Sequence, residues 1–330
     1  MKILIIQTAF IGDVVLATAL VEKLHAFHPN VEIHFLLRRG NESLLSEHPK
    51  ISKVLIWDKK HNKYNNLLQL LVEIRSAKYD AVVNCQRFAA SGFLTGFSGA
   101  KSKLGFEKNP FSLLFSESYP HKIGKRDDVF FMHEVERNQL LISGITDHHA
   151  AAPKLYPTAD DFTFVAGFKE QPYVTICPAS VWKTKELPVA KWLELIKEIP
   201  ASYKIYLLGA SGDKPMAEQI VQESGNAQIA NCCGAFSFLQ TAALMKDAAM
   251  NYTNDSAPLH FASAMNASVT AVFCSTVPQF GFGPLSAESH LLEEQSGLYC
   301  RPCGLHGYKN CPEKHFDCAK KINMKTFLTG

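Results

Sequence analysis

The sequence lacks the fingerprints of the commonest nucleotide-binding enzymes. Its first apolar run, residues 3–6, is not followed by a G-x-G-x-x-G pattern, and the chain contains no G-x-x-x-x-G-K-[ST] loop. The first absence argues against a nicotinamide dehydrogenase, and the second against a P-loop ATPase. A net charge of only +3 gives no global case for a nucleic-acid partner.

Signals for membranes and secretion are also scarce. No uninterrupted apolar run approaches the ~18 residues of a membrane span, and the first residues lack the apolar stretch and cleavage site of a signal peptide. We therefore expect a cytoplasmic chain whose nine cysteines are reduced. Its 330 residues exceed the length at which single cores usually split, which predicts two domains.

Short apolar runs alternate with helical patterns along most of the chain. The alternation runs from residue 2 to about residue 87 and resumes near residue 172, which predicts two doubly wound, parallel α/β sheets. Between residues 88 and 157 the pattern loosens, and we predict an irregular surface followed by a helix over 134–145. Residues 318–328 are predicted to be helical. We place the domains at residues 1–160 and 161–330.

Polar side chains follow the predicted strands, where ligands bind in open parallel sheets. Ser180, Lys183 and Lys185 crowd a loop before a helix near Pro188, which suits a phosphate; a solvated basic loop is the alternative. Asp213 follows the next strand and would bind ribose hydroxyls or cap a helix.

Two further carboxylates begin helices. In TNDSAPLHFASA, residues 253–264, Asp255 precedes a helix whose first turn contains His260, and this helix start is a potential anion site. Helix capping by Asp255 and a structural role for His260 are the alternatives. Asp13 follows the first strand, where it is either a helix cap or a catalytic base.

The ordered set of these segments resembles the family-9 glycosyltransferases, the bacterial ADP-heptose:lipopolysaccharide heptosyltransferases. The matching motifs are G-D at 12–13, P-A-S…K-x-x-P at 178–188, G-x-x-x-[DE] at 209–213 and D-[ST]-G-x-x-H-x-A at 255–262. Ala257 replaces the usual glycine of the last motif. The resemblance implies a GT-B fold, with two Rossmann-like domains facing across a cleft.

The resemblance also implies the chemistry. It indicates an inverting transfer of heptose from ADP-heptose to the lipopolysaccharide inner core, with no catalytic cofactor and with Asp13 as the base. The donor-binding residues would lie in residues 161–330: Ser180, Lys183, Lys185, Asp213, Asp255, Ser256, Ala257, Leu259 and His260. Alanine at 257 would weaken donor binding if the position needs a positive φ.

The acceptor in this family is an anionic, lipid-anchored sugar. Arg87 follows a predicted strand of residues 1–160 and is our candidate for binding it. Peripheral contact with the inner face of the inner membrane is expected. A UDP- or GDP-hexose donor and a non-catalytic nucleotide-binding relative are the alternatives, while a nucleic-acid partner is not expected.

A cysteine-rich tail spans about residues 298–320. Cys300, Cys303, Cys311 and Cys318 have the short spacing of a structural zinc site, which would lie outside the donor site. Disulfides and four reduced, packed thiols are the alternatives.

Overall fold

The computed structural model describes residues 1–328, and its chain divides into two compact units. The first unit contains Met1–Ile123 and Met132–Tyr156. The second contains Gly124–Phe131 and the chain from Pro157 onward. A short internal segment is therefore part of the second unit although both of its flanks belong to the first.

The first unit is built on a six-stranded parallel sheet. Its strands are β1 Lys2–Ile6, β2 Glu32–Arg38, β3 Lys53–Trp57, β4 Ala81–Asn84, β5 Ser102–Phe106 and β6 Glu117–Tyr119. Its α-helices are α1 Ile11–Phe27, α2 Lys63–Ser76, α3 Ala89–Gly96 and α4 Glu134–Leu140. The strand order is β3-β2-β1-β4-β5-β6, so the chain reverses its direction across the sheet between β1 and β4.

The second unit repeats this topology. Its strands are β7 Tyr173–Cys177, β8 Lys204–Leu207, β9 Ile229–Asn231, β10 Met250–Asn254, β11 Val269–Phe273 and β12 Ser289–Glu293. Its α-helices are α5 Ala159–Val165, α6 Val189–Glu198, α7 Lys214–Ser224, α8 Phe238–Lys246, α9 Ala257–Met265 and α10 Asp317–Lys320. Strand order β12-β11-β10-β7-β8-β9 puts the reversal between β7 and β10.

The continuous apolar runs of the sequence become strands buried on both faces. In β1, Ile3, Leu4, Ile5 and Ile6 are all fully buried, although successive side chains point to opposite faces. This pattern is typical of parallel sheets. The predicted α/β class with two doubly wound sheets is confirmed.

Two local predictions were wrong. Residues 88–157 contain α3, β5 and β6. The two strands escaped prediction because they are short and contain no continuous apolar run. The tail is helical only over Asp317–Lys320, and the chain beyond it buries Ile322 and Met324 in the second unit's core. Within residues 1–328, none of the helices has the length and apolar character needed to cross a bilayer.

Candidate functional site

The central pair of the second unit's site is Lys185 and Asp255. Lys185 Nζ lies 2.6 Å from Asp255 Oδ2, and the two side chains are only 14% and 7% exposed. Thr276 Oγ1 donates to the same carboxylate oxygen at 2.6 Å. The three residues follow β7, β10 and β11, so a cation and a buried carboxylate meet at the carboxyl edge of the sheet.

Helix α9 begins beside this pair. Ser256 is its N-cap residue, so Asp255 is bound to Lys185 and Thr276 and does not occupy the cap position. Ala257 is the first helical residue and is not among the residues with positive φ. Alanine therefore causes no backbone strain at this position. The helix start retains the partial positive charge that attracts anions.

The remaining predicted residues of α9 are buried. Leu259 is fully buried, and His260, also buried, packs its ring edge-on to Phe282 with centroids 6.4 Å apart. These contacts fit the structural interpretation of His260, while its place one turn into α9 keeps it near the anion-attracting end.

The loop after β7 is pinned by polar contacts. The Ser180 N–H donates to Glu186 Oε2 at 3.2 Å, and Lys183 Nζ donates to Glu186 Oε1 at 2.7 Å. Buried Asn254 accepts from the Leu187 N–H at 3.0 Å and donates to the Pro178 carbonyl at 2.7 Å. Both lysines of the loop are paired with a carboxylate, but Lys183 is largely exposed and Lys185 is mostly buried.

Asp213 caps a turn. Its Oδ2 accepts the Ala210 N–H at 2.8 Å, at the start of the short 3₁₀ turn that leads into α7. A Cβ at Gly209 would lie 2.8 Å from this oxygen, so the close approach requires glycine. The side chain therefore closes this turn but makes no cap hydrogen bond to α7, and the half-exposed carboxylate lies at the carboxyl edge after β8.

In the first unit, Asp13 and Arg87 follow the two strands that flank the reversal, β1 and β4. Asp13 is the third residue of α1, is half-buried, and accepts the Phe10 N–H at 3.1 Å. Arg87 is half-buried three residues beyond β4. Thr8 Oγ1 donates to Gln86 Oε1 at 2.7 Å, which joins the two post-strand segments. The acid thus caps a helix and stands at a ligand-binding edge.

A cavity of 540 Å³ opens at the same edge. Lys59 lines it, donates to the Thr8 carbonyl at 2.7 Å and lies 4.6 Å from the Trp57 ring centre. Burial, with smaller contributions from the charges of Arg38 and Lys63, lowers the Lys59 pKa to about 8. The other side chains lining it include Lys63, Tyr64, Gln86, Phe88, Phe93 and Phe111.

Gln86 lines this cavity and contains an unsatisfied donor. The residue is only 4% exposed, and its buried Nε2 has no hydrogen-bond partner among the described residues. A buried donor left unpaired is costly, so it marks a position where a ligand oxygen would be stabilised. Sequence patterns gave no signal for Gln86 or for the aromatic walls.

The four tail cysteines are free thiols, as are the other five cysteines of the chain. Burial, with smaller contributions from Cys300 and Cys311, raises the pKa of the Cys303 thiol. Cys300 Sγ lies 3.9 Å from His315 Nε2. Even so, residues 1–328 contain no group of three or more Cys, His, Asp or Glu side chains arranged to hold a metal ion.

Known proteins resemble this chain over most of its length. Lipopolysaccharide heptosyltransferase 1 of Campylobacter coli is 25% identical over 295 residues, 84% of each chain. Lipopolysaccharide heptosyltransferase 2 of Escherichia coli K12 is 22% identical, covering 91% of this chain and 90% of its own. The solved structure of E. coli ADP-heptose lps heptosyltransferase II matches with a TM-score of 0.76 at 21% identity, covering 97% and 98% of the two chains.

The family model for glycosyltransferase family 9 (heptosyltransferase) matches residues 67–308. That segment includes the three loops of the second unit and much of the first unit's cavity. With its two doubly wound sheets and these matched loops, the chain belongs to glycosyltransferase family 9 and is a glycosyltransferase of the GT-B fold.

Proposed function

We propose that this enzyme transfers a heptose from ADP-heptose to an acceptor sugar of the lipopolysaccharide inner core. The observation that carries the proposal is the Lys185–Asp255 pair beside the start of α9. It combines a cation and a helix N-terminus for a diphosphate with a carboxylate for sugar hydroxyls. The names of the matched relatives supply the heptose and the lipopolysaccharide.

The donor would be bound by the C-terminal domain that we place at residues 161–330, which forms most of the second unit. Lys185 and the α9 start, Ser256 to Leu259, would stabilise the charge that grows on the leaving diphosphate. Asp255 would bind hydroxyls of the sugar and Asp213 those of the ribose. The remaining donor contacts would come from Ser180, Lys183 and His260.

The acceptor would be activated by Asp13 of the N-terminal domain that we place at residues 1–160, which contains the first unit. The acceptor hydroxyl oxygen forms its bond to the anomeric carbon while the bond from that carbon to the diphosphate oxygen breaks. The hydroxyl proton passes to the Asp13 carboxylate, and the bonding electrons leave with the nucleoside diphosphate. One such displacement inverts the anomeric centre. Lys185 and α9 supply the positive charge, so the scheme uses no catalytic cofactor.

The 540 Å³ cavity supports an anionic acceptor. Lys59 would pair with its charge and Gln86 Nε2 would donate to one of its oxygens, while the aromatic walls would pack on apolar faces of the sugar or lipid. Arg87, at the end of the neighbouring segment, would provide a second cation.

A peripheral position at the inner face of the inner membrane is part of the proposal. Val129 and Phe130 are 82% and 94% exposed and follow Lys125 in the second unit's internal segment. Exposed apolar side chains of this kind favour contact with a lipid surface. The Phe130→Ser variant should float with anionic vesicles less than wild type does. Equal flotation of the two proteins would contradict the proposed membrane contact.

The experiment that tests the donor is thermal unfolding with ADP, UDP, GDP or NAD. A ligand of the native state adds about 2.7 kcal/mol at a hundred times its dissociation constant. Stabilisation by ADP alone, lost in Lys185→Ala, supports the proposal. Stabilisation by UDP or GDP would replace ADP-heptose by a hexose donor, and none would favour a non-catalytic relative.

The tail is proposed to bind a structural zinc ion through Cys300, Cys303, Cys311 and Cys318. Support comes from the thiolate donor set, which suits zinc, and from the short spacing of the four cysteines in the sequence. The metal would supply only cross-links within the tail and would take no part in the transfer.

A further inference from the structure

The cysteine-rich tail is hydrogen-bonded to a donor loop. The tail loop, residues 300–308, ends at Tyr308, whose N–H donates to Thr184 Oγ1 at 2.8 Å. In return, the Thr184 N–H donates to the Tyr308 carbonyl at 3.1 Å. This reciprocal pair bridges 124 positions of the sequence, and Thr184 is buried directly before Lys185.

The same threonine connects to the loop after β11. Ser275 Oγ lies 3.0 Å from Thr184 Oγ1, and the Ser275 N–H donates to the Thr184 carbonyl at 3.2 Å. The Cys303 N–H donates to the Ser275 carbonyl at 3.0 Å. Thr184 and Ser275 precede Lys185 and Thr276, the two residues that contact Asp255 Oδ2. The hydrogen-bond network therefore involves the residues that directly precede Lys185 and Thr276 in the sequence.

Arg301 holds the β11 loop from the other side. Its guanidinium is buried and donates to the carbonyls of Cys274 and Thr276, each at 2.8 Å. It also pairs with Glu293 at 2.6 Å. Because buried charge-assisted hydrogen bonds are the strong ones, this contact fixes the backbone on both sides of Ser275.

Gly307 allows the tail loop to approach closely. Its φ is +78°, and a Cβ there would lie 2.9 Å from Thr184 Oγ1 and 3.3 Å from Lys185 Cγ. Any other residue would press on the side chain proposed to bind the diphosphate.

We propose that the tail loop positions Lys185 and Thr276 around Asp255, and that Thr184 is the positioning residue through which donor affinity depends on the tail. This inference rests on the proposed donor site. It gives residues 300–308 a role in the reaction that holds whether or not the cysteines bind metal.

The test compares ADP affinity, by calorimetry, with the melting temperature measured without nucleotide. Thr184→Val removes the hydroxyl that bonds both Tyr308 and Ser275, and it should weaken ADP binding by about five- to tenfold, which is of the order of a lost hydrogen bond. Thr184→Ser keeps the hydroxyl and should restore affinity. Gly307→Ala should also weaken binding, whereas Gly225→Ala, at another positive-φ glycine with no atom within 4 Å of its Cβ, should lower only the melting temperature.

The outcomes separate this inference from the proposed function. If Lys185→Ala leaves ADP affinity unchanged, the donor site itself is wrong, and the inference falls with it. If Lys185→Ala weakens ADP binding but Thr184→Val and Gly307→Ala change only the melting temperature, the tail loop is purely structural and the inference is overturned. If Thr184→Val does not fold, the comparison of ADP affinity between Gly307→Ala and Gly225→Ala decides whether the tail loop acts on the donor site.

Discussion

Lys185 Nζ and Asp255 Oδ2 lie 2.6 Å apart at the carboxyl edge of the second unit's sheet, with both side chains mostly buried. Removing one partner of a buried ion pair leaves an uncompensated charge, which costs about 3–5 kcal/mol. The pair therefore links the stability of this unit to the residues proposed to bind the donor.

Lys185→Ala should reduce both stability and nucleotide affinity. Asp255 loses its cation, so we expect the free energy of unfolding to fall by about 3 kcal/mol, as for a broken buried pair. ADP affinity should fall more than tenfold, measured by calorimetry on the folded fraction. Lys169→Ala is the matched control, because that lysine is also mostly buried and pairs with Asp247, a residue outside the donor loops. Equal losses in the two variants would contradict the special role of Lys185.

Asp13→Asn should separate catalysis from folding. The asparagine oxygen can still accept the Phe10 N–H, so the helix start is retained and the free energy of unfolding should change by less than about 1 kcal/mol. Without the base, kcat should fall by about 10²–10⁴, while the dissociation constant for ADP stays unchanged. The measurement is the rate of ADP release from the sugar nucleotide. Retention of most of the activity would exclude Asp13 as the base.

Lys59 should make acceptor binding depend on pH. Its pKa, lowered to about 8 mainly by burial, leaves it charged below that pH and neutral above it. The KM for an anionic acceptor should therefore rise as the pH passes 8. In Lys59→Arg the guanidinium stays charged, and this rise should be absent. A wild-type KM that is flat through this range, or an equal rise in the variant, would contradict a contact between Lys59 and the acceptor.

The lowered pKa of Lys59 also affects stability, and there the effect of raising the pH is favourable. Because the pKa of Lys59 is lower in the folded chain than its ordinary value of 10.5, the unfolded chain binds more protons between those two values. The free energy of unfolding contributed by this group therefore rises with pH across that window. Denaturation of wild type and Lys59→Met at several pH values measures the difference.

The tail thiols should retain a metal on purification. Elemental analysis is expected to find about one zinc ion per chain, as four thiolates prescribe. Cys303→Ser should lower both the metal content and the melting temperature, and a chelator should do the same to wild type. Cys232→Ser, a buried cysteine outside the tail, is the control. Metal-free protein with unchanged stability after chelation would leave four packed thiols as the explanation.

Local patterns identified the residues that follow strands but not their long-range partners. The continuous apolar runs predicted most strands, and the carboxyl-edge rule directed attention to Lys185 and Asp255. The same rule applied to β11 would have identified Thr276. Gln86, by contrast, is recognisable only because the fold buries its amide beside a cavity, and Thr184 only because Tyr308 lies beside it.

Segments with little apolar periodicity were predicted least well. β6 is three residues long and mostly exposed, and its place in the sheet depends on pairing with β5. The final residues have helix-forming composition, but Ile322 and Met324 are buried in the core by a chain that is not helical there. Tertiary burial overrides local preference in such cases.

The internal segment Gly124–Phe131 constrains how this protein can be recombined with its relatives. Arg126 donates to the carbonyls of Leu298 and Arg301, so residues more than 170 positions apart form one packed structure. A chimera joined at the Tyr156–Pro157 bond would combine one parent's segment with the other parent's tail. Exchanges that move residues 124–131 together with the C-terminal half would preserve these contacts, and transplants of donor specificity should use that discontinuous block.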